Sequence, residues 1–264
     1  MGVDPAVSAA VQDMHGVNGR VVVVTGSGQG VGRGIAHHLG KGGASVVVAE
    51  WKPDTMQRTV DELTELGVPC LGVVCDINSH EQIDAMVAAT VERFGRVDGI
   101  VNNAQTFRPM RPVATVPDSD FDVFYDSGVK GTLWAMQAVY PHMKEQQWGR
   151  IVNFASSMGI TGGRGFAAYN ASKEAIRALT RTAAREWGAD NICVNAIAPA
   201  AATHHGEAGK QSEGYRQFIE NCPMGRQGDP ELDIAPIALY LCSDAARYVT
   251  GHTMMADGGA FMWA

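Results

Sequence analysis

The stretch "AAYNASKEA" (167–175) sets Tyr169 four positions ahead of Lys173, so a phenol and an ammonium share one face of a helix. Taken alone, such a pair is ordinary on helix surfaces. It is also a way to move a proton near neutrality. A free phenol titrates near pH 10, about three pH units too high, a deficit of about 4 kcal/mol. A positive charge about 4 Å away returns up to about 4 kcal/mol at an effective dielectric near 20. Lys173 is therefore strong enough to make Tyr169 a general acid or base, provided the fold holds the two together.

The rest of the chain reads as a frame able to do this. "RVVVVT" (20–25), "ASVVVAE" (44–50), "CLGVVCD" (70–76), "VDGIVNN" (97–103), "GRIVNFAS" (149–156), "ICVNAIA" (192–198) and "HTMMAD" (252–257) read as strands, several apolar on both faces. Between them lie amphipathic helices. "DTMQRTVDELTEL" puts Met56, Val60, Leu63 and Leu66 on one stripe; "SHEQIDAMVAATVERF" opens on an N-cap Ser79 and turns Ile83, Met86, Val87 and Val91 inward. Strand–helix alternation without a break in composition implies one α/β domain, a doubly wound parallel sheet over 19–264 behind a flexible arm, 1–18. The irregular segment 200–229 follows a strand, where such folds place substrate loops.

"VVVVTGSGQGVGRGIAHHL" runs from strand through a glycine turn into a helix. Gly26, Gly30 and Gly32 stand where that turn needs residues without a Cβ, and the helix from about Val31 aims free N–H groups at a pyrophosphate. The next strand ends at Glu50, an acid suited to accept from ribose hydroxyls and to repel a 2′-phosphate. Position 29 is Gln, not a basic residue. These features favour NAD over NADP, with Arg33 and Lys52 as the nearby cations that speak for the phosphate.

With "CDI" (75–77), "NNA" (102–104), "GRIVNFASSMG", "YNASK", "NAIAP" and the closing "DGG" in order, the chain resembles the classical short-chain dehydrogenases/reductases over nearly its whole length. The resemblance implies a Rossmann-type sheet of about seven strands in the order 3-2-1-4-5-6-7. It also implies a nicotinamide cofactor, hydride exchange between a secondary alcohol and a ketone, and a homotetramer. It makes Ser156, Tyr169 and Lys173 the catalytic set. Ser156 is chosen over Ser157 for its spacing to Tyr169 and to Gly159. Cofactor contacts carry over to Gly26, Gly30, Val31, Gly32, Glu50, Asp76, Ile77, Asn103, Ala104, Tyr169, Lys173, Pro199 and Thr203.

Three positions depart from the family pattern. Gly128 stands where relatives carry an Asn that helps hold a water linking the lysine to solvent; Gly128 either preserves a local irregularity while Ser127 or a second water completes the relay, or the enzyme is impaired. Gln105 replaces a Gly beside the cofactor cleft, and Ala200 replaces the Gly after Pro199. Substrate contacts are expected from Gln105, Ser156, His204, Tyr215 and Phe218, and a hydrophobic, ring-bearing alcohol suits an apolar lid. Two alternatives stay open: a dinucleotide-binding regulatory protein, and an isomerase or dehydratase with tightly held cofactor.

A formal charge of -7 argues against nucleic acid or an anionic membrane as partner. The five cysteines show no C-x-x-C spacing and read as reduced thiols in a cytoplasmic protein. His204-His205 lacks companions at ligand spacing, so no metal is expected. The apolar tail "FMWA" is expected to be covered, within the chain or by a neighbouring subunit.

Overall fold

A computed structural model describes residues 16–201 and 213–262. Seven strands form one parallel sheet in the order β3-β2-β1-β4-β5-β6-β7. They are β1 (Val21–Thr25), β2 (Ser45–Glu50), β3 (Cys70–Val74), β4 (Gly99–Asn102), β5 (Gly149–Phe154), β6 (Ile192–Pro199) and β7 (Thr253–Ala256). All seven lie where the β-branched runs predict them.

Alternation within β1 divides the core. Val22 and Val24 face the layer that holds Ile35 and Leu39 of α1 (Gly30–Lys41) and Leu63 of α2 (Pro53–Glu65). Val21 and Val23 face the layer that holds Ile83 and Met86 of α3 (His80–Phe94), with Met136 and Met143 from a later helix. Both faces are dry, which is why these strands read as continuous apolar runs. Ser79 caps α3 as expected, its Oγ accepting from Gln82 N at 3.3 Å.

Two expectations need correction. Leu66 is not on the buried stripe: it is the C-cap of α2 and is 51% exposed, because the chain turns away at Gly67 with φ +73°. The arm does not extend to residue 18 either. Val17 is 1% exposed, and its N–H bonds the Gly42 carbonyl.

The crossover after β4 runs through α4 (Asp118–Phe124), a π-helical turn (Tyr125–Lys130) and α5 (Gly131–Gln146). After β5 come the short α6 (Ser157–Thr161) and the long α7 (Ala167–Trp187); α8 (Glu213–Asn221) and α9 (Ala235–Cys242) follow β6. Among the described residues no helix is long and apolar enough to cross a membrane.

Candidate active site

Each functional side chain sits at the C-terminal edge of the sheet, where strands hand over to loops and helices. β5 ends at Phe154, two residues before Ser156, and Ser156 becomes the N-cap of α6, its Oγ accepting from Met158 N at 3.2 Å. Tyr169 and Lys173 lie one turn apart on α7. The Lys173 ammonium is 5.5 Å from the centroid of the Tyr169 ring, so both face the same side. Lys173 is 5% exposed and donates to the Phe154 carbonyl at 2.7 Å, which pins α7 to the end of β5. Behind them a buried polar ladder fixes the strands: Asn102 Nδ2 donates to Asn153 Oδ1 at 2.9 Å, and Asn153 Nδ2 donates to Thr180 Oγ1 at 3.0 Å.

The electrostatics differ from the sequence expectation. Burial raises the Tyr169 phenol, and its hydrogen bond with Ser156 pulls it only part of the way back. Burial pushes the Lys173 ammonium down to about 7. The amine is not what moves the phenol: desolvation disfavours the charged form of both.

Beside this cluster lies a cleft of about 670 Å³. Of the residues expected to hold a cofactor, Gly26, Val31, Glu50, Asp76, Ile77, Asn103 and Ala104 all line it, together with Gln105. Gly30, Gly32, Tyr169, Lys173 and Pro199, and the substrate candidates Ser156 and Phe218, the last half-buried on α8, are not among its lining residues. Thr203 and His204, and the side chain of Tyr215, lie outside the described residues.

The cleft fits a dinucleotide on its own geometry. Gly26 has φ +65°, and a Cβ there would come within 3.0 Å of Ala104; a Cβ on Gly32 would run into the Gly26 carbonyl oxygen. At these two positions the turn is closed against β1 and the loop after β4, whereas Gly30 faces open space and favours glycine only through its φ of +55°. Gln29, the N-cap of α1, makes no side-chain capping bond, so the first turn keeps donors for an anion. Asn103 Nδ2 braces the turn by donating to the carbonyls of Thr25 and Gly26 at 3.0 and 3.2 Å. Thr25 was missed by sequence reasoning: its buried Oγ1 accepts from Asn103 N and Ala104 N, both at 3.1 Å, and joins the glycine turn to the loop after β4.

Glu50 is 5% exposed and accepts from the backbone N–H of Gly28, Trp51 and Lys52 at 3.1, 3.0 and 3.3 Å. Arg33 is committed to Glu62 at 2.7 Å, and Arg58 Nη2 donates to the Gly28 carbonyl at 3.2 Å. Lys52 lines the cleft with its amine 5.1 Å from the Trp51 ring. Among the described residues no group of three His, Cys, Asp or Glu could hold a metal ion.

A further set of residues was not legible beforehand. Phe107, Phe124 and Phe166 surround the Tyr169 ring at centroid distances of 5.5, 5.6 and 6.0 Å. Phe166 is three residues before Tyr169 at the N-cap of α7, whereas Phe107 and Phe124 come from separate segments that no spacing announces. Phe107 also lines the cleft and is 61% exposed, which ties the cluster to the cleft. Ser127, in the π-helical turn, donates to Val123 O at 2.7 Å and accepts from Thr106 N of the loop after β4 at 3.1 Å.

A doubly wound parallel sheet, a glycine turn opening a helix, and a Ser, Tyr and Lys near the resulting cleft together make a candidate nucleotide site. A family model described as enoyl-(acyl carrier protein) reductase matches residues 26–260, and the chain belongs to the short-chain dehydrogenase/reductase family. It is 37% identical over 251 residues to a 12alpha-hydroxysteroid dehydrogenase of a Clostridium species, covering 92% of this chain and 96% of that one. It is 36% identical to (2S)-[(R)-hydroxy(phenyl)methyl]succinyl-CoA dehydrogenase subunit BbsD of Thauera aromatica, covering 94% of this chain and 99% of the relative. A 7 alpha-hydroxysteroid dehydrogenase solved with NADH and 7-oxo glycochenodeoxycholic acid superposes with a TM-score of 0.88 at 33% identity, covering 94% of this chain and 96% of that structure.

Proposed function

We propose that this chain is an NAD(H)-dependent oxidoreductase that interconverts a hydrophobic, ring-bearing secondary alcohol and its ketone. The observation that carries the reading is the convergence of Ser156, Tyr169 and Lys173 beside a cleft whose rim ends in Glu50. When bound, a nicotinamide dinucleotide supplies the two-electron chemistry, giving or taking a hydride at the substrate carbon.

The chain's own residues do the rest. Glu50 keeps lone-pair capacity beyond its three backbone partners for ribose hydroxyls, and its charge opposes a 2′-phosphate. The uncapped first turn of α1 faces the pyrophosphate. Ser156 Oγ hydrogen-bonds the reacting oxygen and orients it. The Tyr169 hydroxyl takes or returns the proton, and Lys173, poised near neutrality by burial, sets how readily it does so. The phenylalanines around Tyr169 offer flat apolar walls, which suit an alicyclic substrate; the steroid-acting relatives favour the same class.

We also take the protein to be a cytoplasmic homotetramer. Met262, next to the chain's apolar end, is 75% exposed in the single subunit, and a neighbouring subunit is the natural cover for it.

A panel of secondary alcohols, including hydroxysteroids, tested with NAD and with NADP, measures the reading directly. Cofactor reduction with at least one cyclic alcohol and a preference for NAD is expected. Substrate conversion without net NADH marks an isomerase, and binding of NADH without any conversion marks a regulatory protein; either result overturns the proposal.

A further inference from the structure

Two of the positions at which the chain is expected to depart from the family pattern, Gly128 and Gln105, meet in space. A Cβ on Gly128 would lie 2.6 Å from Gln105 Nε2 and 3.2 Å from its Cδ, so the carboxamide fills the side-chain space that residue 128 leaves empty. The same Nε2 donates to Ser172 Oγ at 3.2 Å, and Ser172 Oγ donates to the Tyr169 carbonyl at 2.8 Å. Ser172 is fully buried and directly precedes Lys173. A side chain that lines the cofactor cleft is therefore bonded to the very turn of α7 that carries both proton-handling groups.

The backbone around Gly128 fits this arrangement. Gly128 lies inside the π-helical turn Tyr125–Lys130, a widened stretch of the kind often found at functional sites. Thr106, next to Gln105, donates its N–H to Ser127 Oγ, so the loop after β4 is held against the π turn on one side and α7 on the other. With a bare glycine at 128, the Gln105 amide reaches Ser172. With a side chain there, the flexible end of Gln105 would have to move away from it.

We infer that Gln105 is a positioning residue for proton transfer: it delivers from the loop after β4 the carboxamide that position 128 lacks and, through Ser172, fixes the helical turn presenting Tyr169 and Lys173. The inference rests on the dehydrogenase reading above. It makes residues 105 and 128 one exchangeable unit, in which an amide is supplied from the loop or from the π turn but not from both.

The test compares the unmutated protein with Gln105→Gly, Gln105→Leu, Gly128→Asn and the double substitution Gln105→Gly with Gly128→Asn. Readouts are kcat and its pH profile on a turned-over alcohol, and the thermal midpoint without cofactor. Gln105→Leu keeps volume but removes the amide, and it is expected to lower kcat about tenfold and to move the pH midpoint by roughly half a pH unit. Gly128→Asn alone displaces Gln105 and lowers kcat. In the Gln105→Gly background the same substitution restores most of the lost rate, and the two thermal effects are non-additive.

Normal rates and an unmoved pH profile in Gln105→Leu overturn the inference. So does strict additivity of the pair, and so does a rate loss that merely follows the thermal midpoint. An unmutated chain that oxidises no alcohol overturns the proposed function, and this inference with it; turnover in the unmutated chain with indifferent variants overturns this inference alone.

Discussion

Lys173 carries a consequence that needs no substrate to observe. Its folded-state value is lowered to about 7 from 10.5, so folding releases a proton between those values. The unfolded chain then binds more protons, and stability of the unliganded protein rises with pH across about 7 to 10.5, by up to about 1.4 kcal/mol per pH unit. Below pH 7 both states hold the proton and this contribution is flat. Lys173→Met is expected to remove the slope, which denaturant titrations at pH 6.5, 8 and 9.5 (roughly spanning that window) would reveal; an unchanged slope would place the amine in a wetter site. Glu50 makes a second prediction at this scale. Glu50→Ala frees three backbone N–H groups and removes the charge that opposes a 2′-phosphate. NADPH binding relative to NADH should improve by about tenfold or more, read by fluorescence titration with each nucleotide. An unaltered ratio would mean that Glu50 only anchors the glycine turn.

Among elements, the turn between β1 and α1 is the least forgiving. Gly32→Ala would push a methyl against the Gly26 carbonyl and the Asn103 side chain that braces it. Affinity for NADH should fall more than about tenfold, with a lowered thermal midpoint; calorimetric binding near the unmutated value would show the turn to be slack. The start of β4 has a comparable dependence. Asp98 is fully buried, accepts from Val21 N at 2.8 Å and pairs with Arg96 and Arg20. Asp98→Ala strands the Val21 N–H, while the part-exposed Arg20 and Arg96 can turn to water, and should cost about 1–3 kcal/mol, measurable by urea unfolding. The elements themselves were readable because their signals are local: buried β-branched runs, an N-cap Ser79, a glycine turn at a fixed place between strand and helix. What was not readable depends on where the chain goes next. Leu66 continues the apolar spacing of α2, but the reversal at Gly67 carries it into solvent. Val17 looks like part of a loose arm until its partner at Gly42 is known.

For the whole molecule, motif and geometry divide the site between them. The order of "TGSGQGVG", "NNA", "YNASK" and the strand pattern led to Ser156, Tyr169 and Lys173 as the expected set and to seven expected cofactor residues that do line the cleft, since each is fixed by residues close to it in the chain. The phenylalanine walls and the Gln105–Gly128 contact were invisible, because they join segments that only the crossover after β4 brings together. The electrostatic expectation also changed at this scale. Spacing places the amine beside the phenol, but the depth of the edge between β5 and α7 determines how much of its charge survives.

The proposed chemistry stands on the Tyr169 hydroxyl as the group that exchanges a proton with the substrate oxygen while hydride moves at carbon. Initial rates of NADH formation for Tyr169→Phe, on the best alcohol of the panel, test this most directly. The ring and its three phenylalanine neighbours persist in that variant, so loss of the hydroxyl is isolated. A fall of about 100-fold or more, with NADH binding still detectable, is the predicted result; a rate within about twofold of the unmutated protein would contradict it.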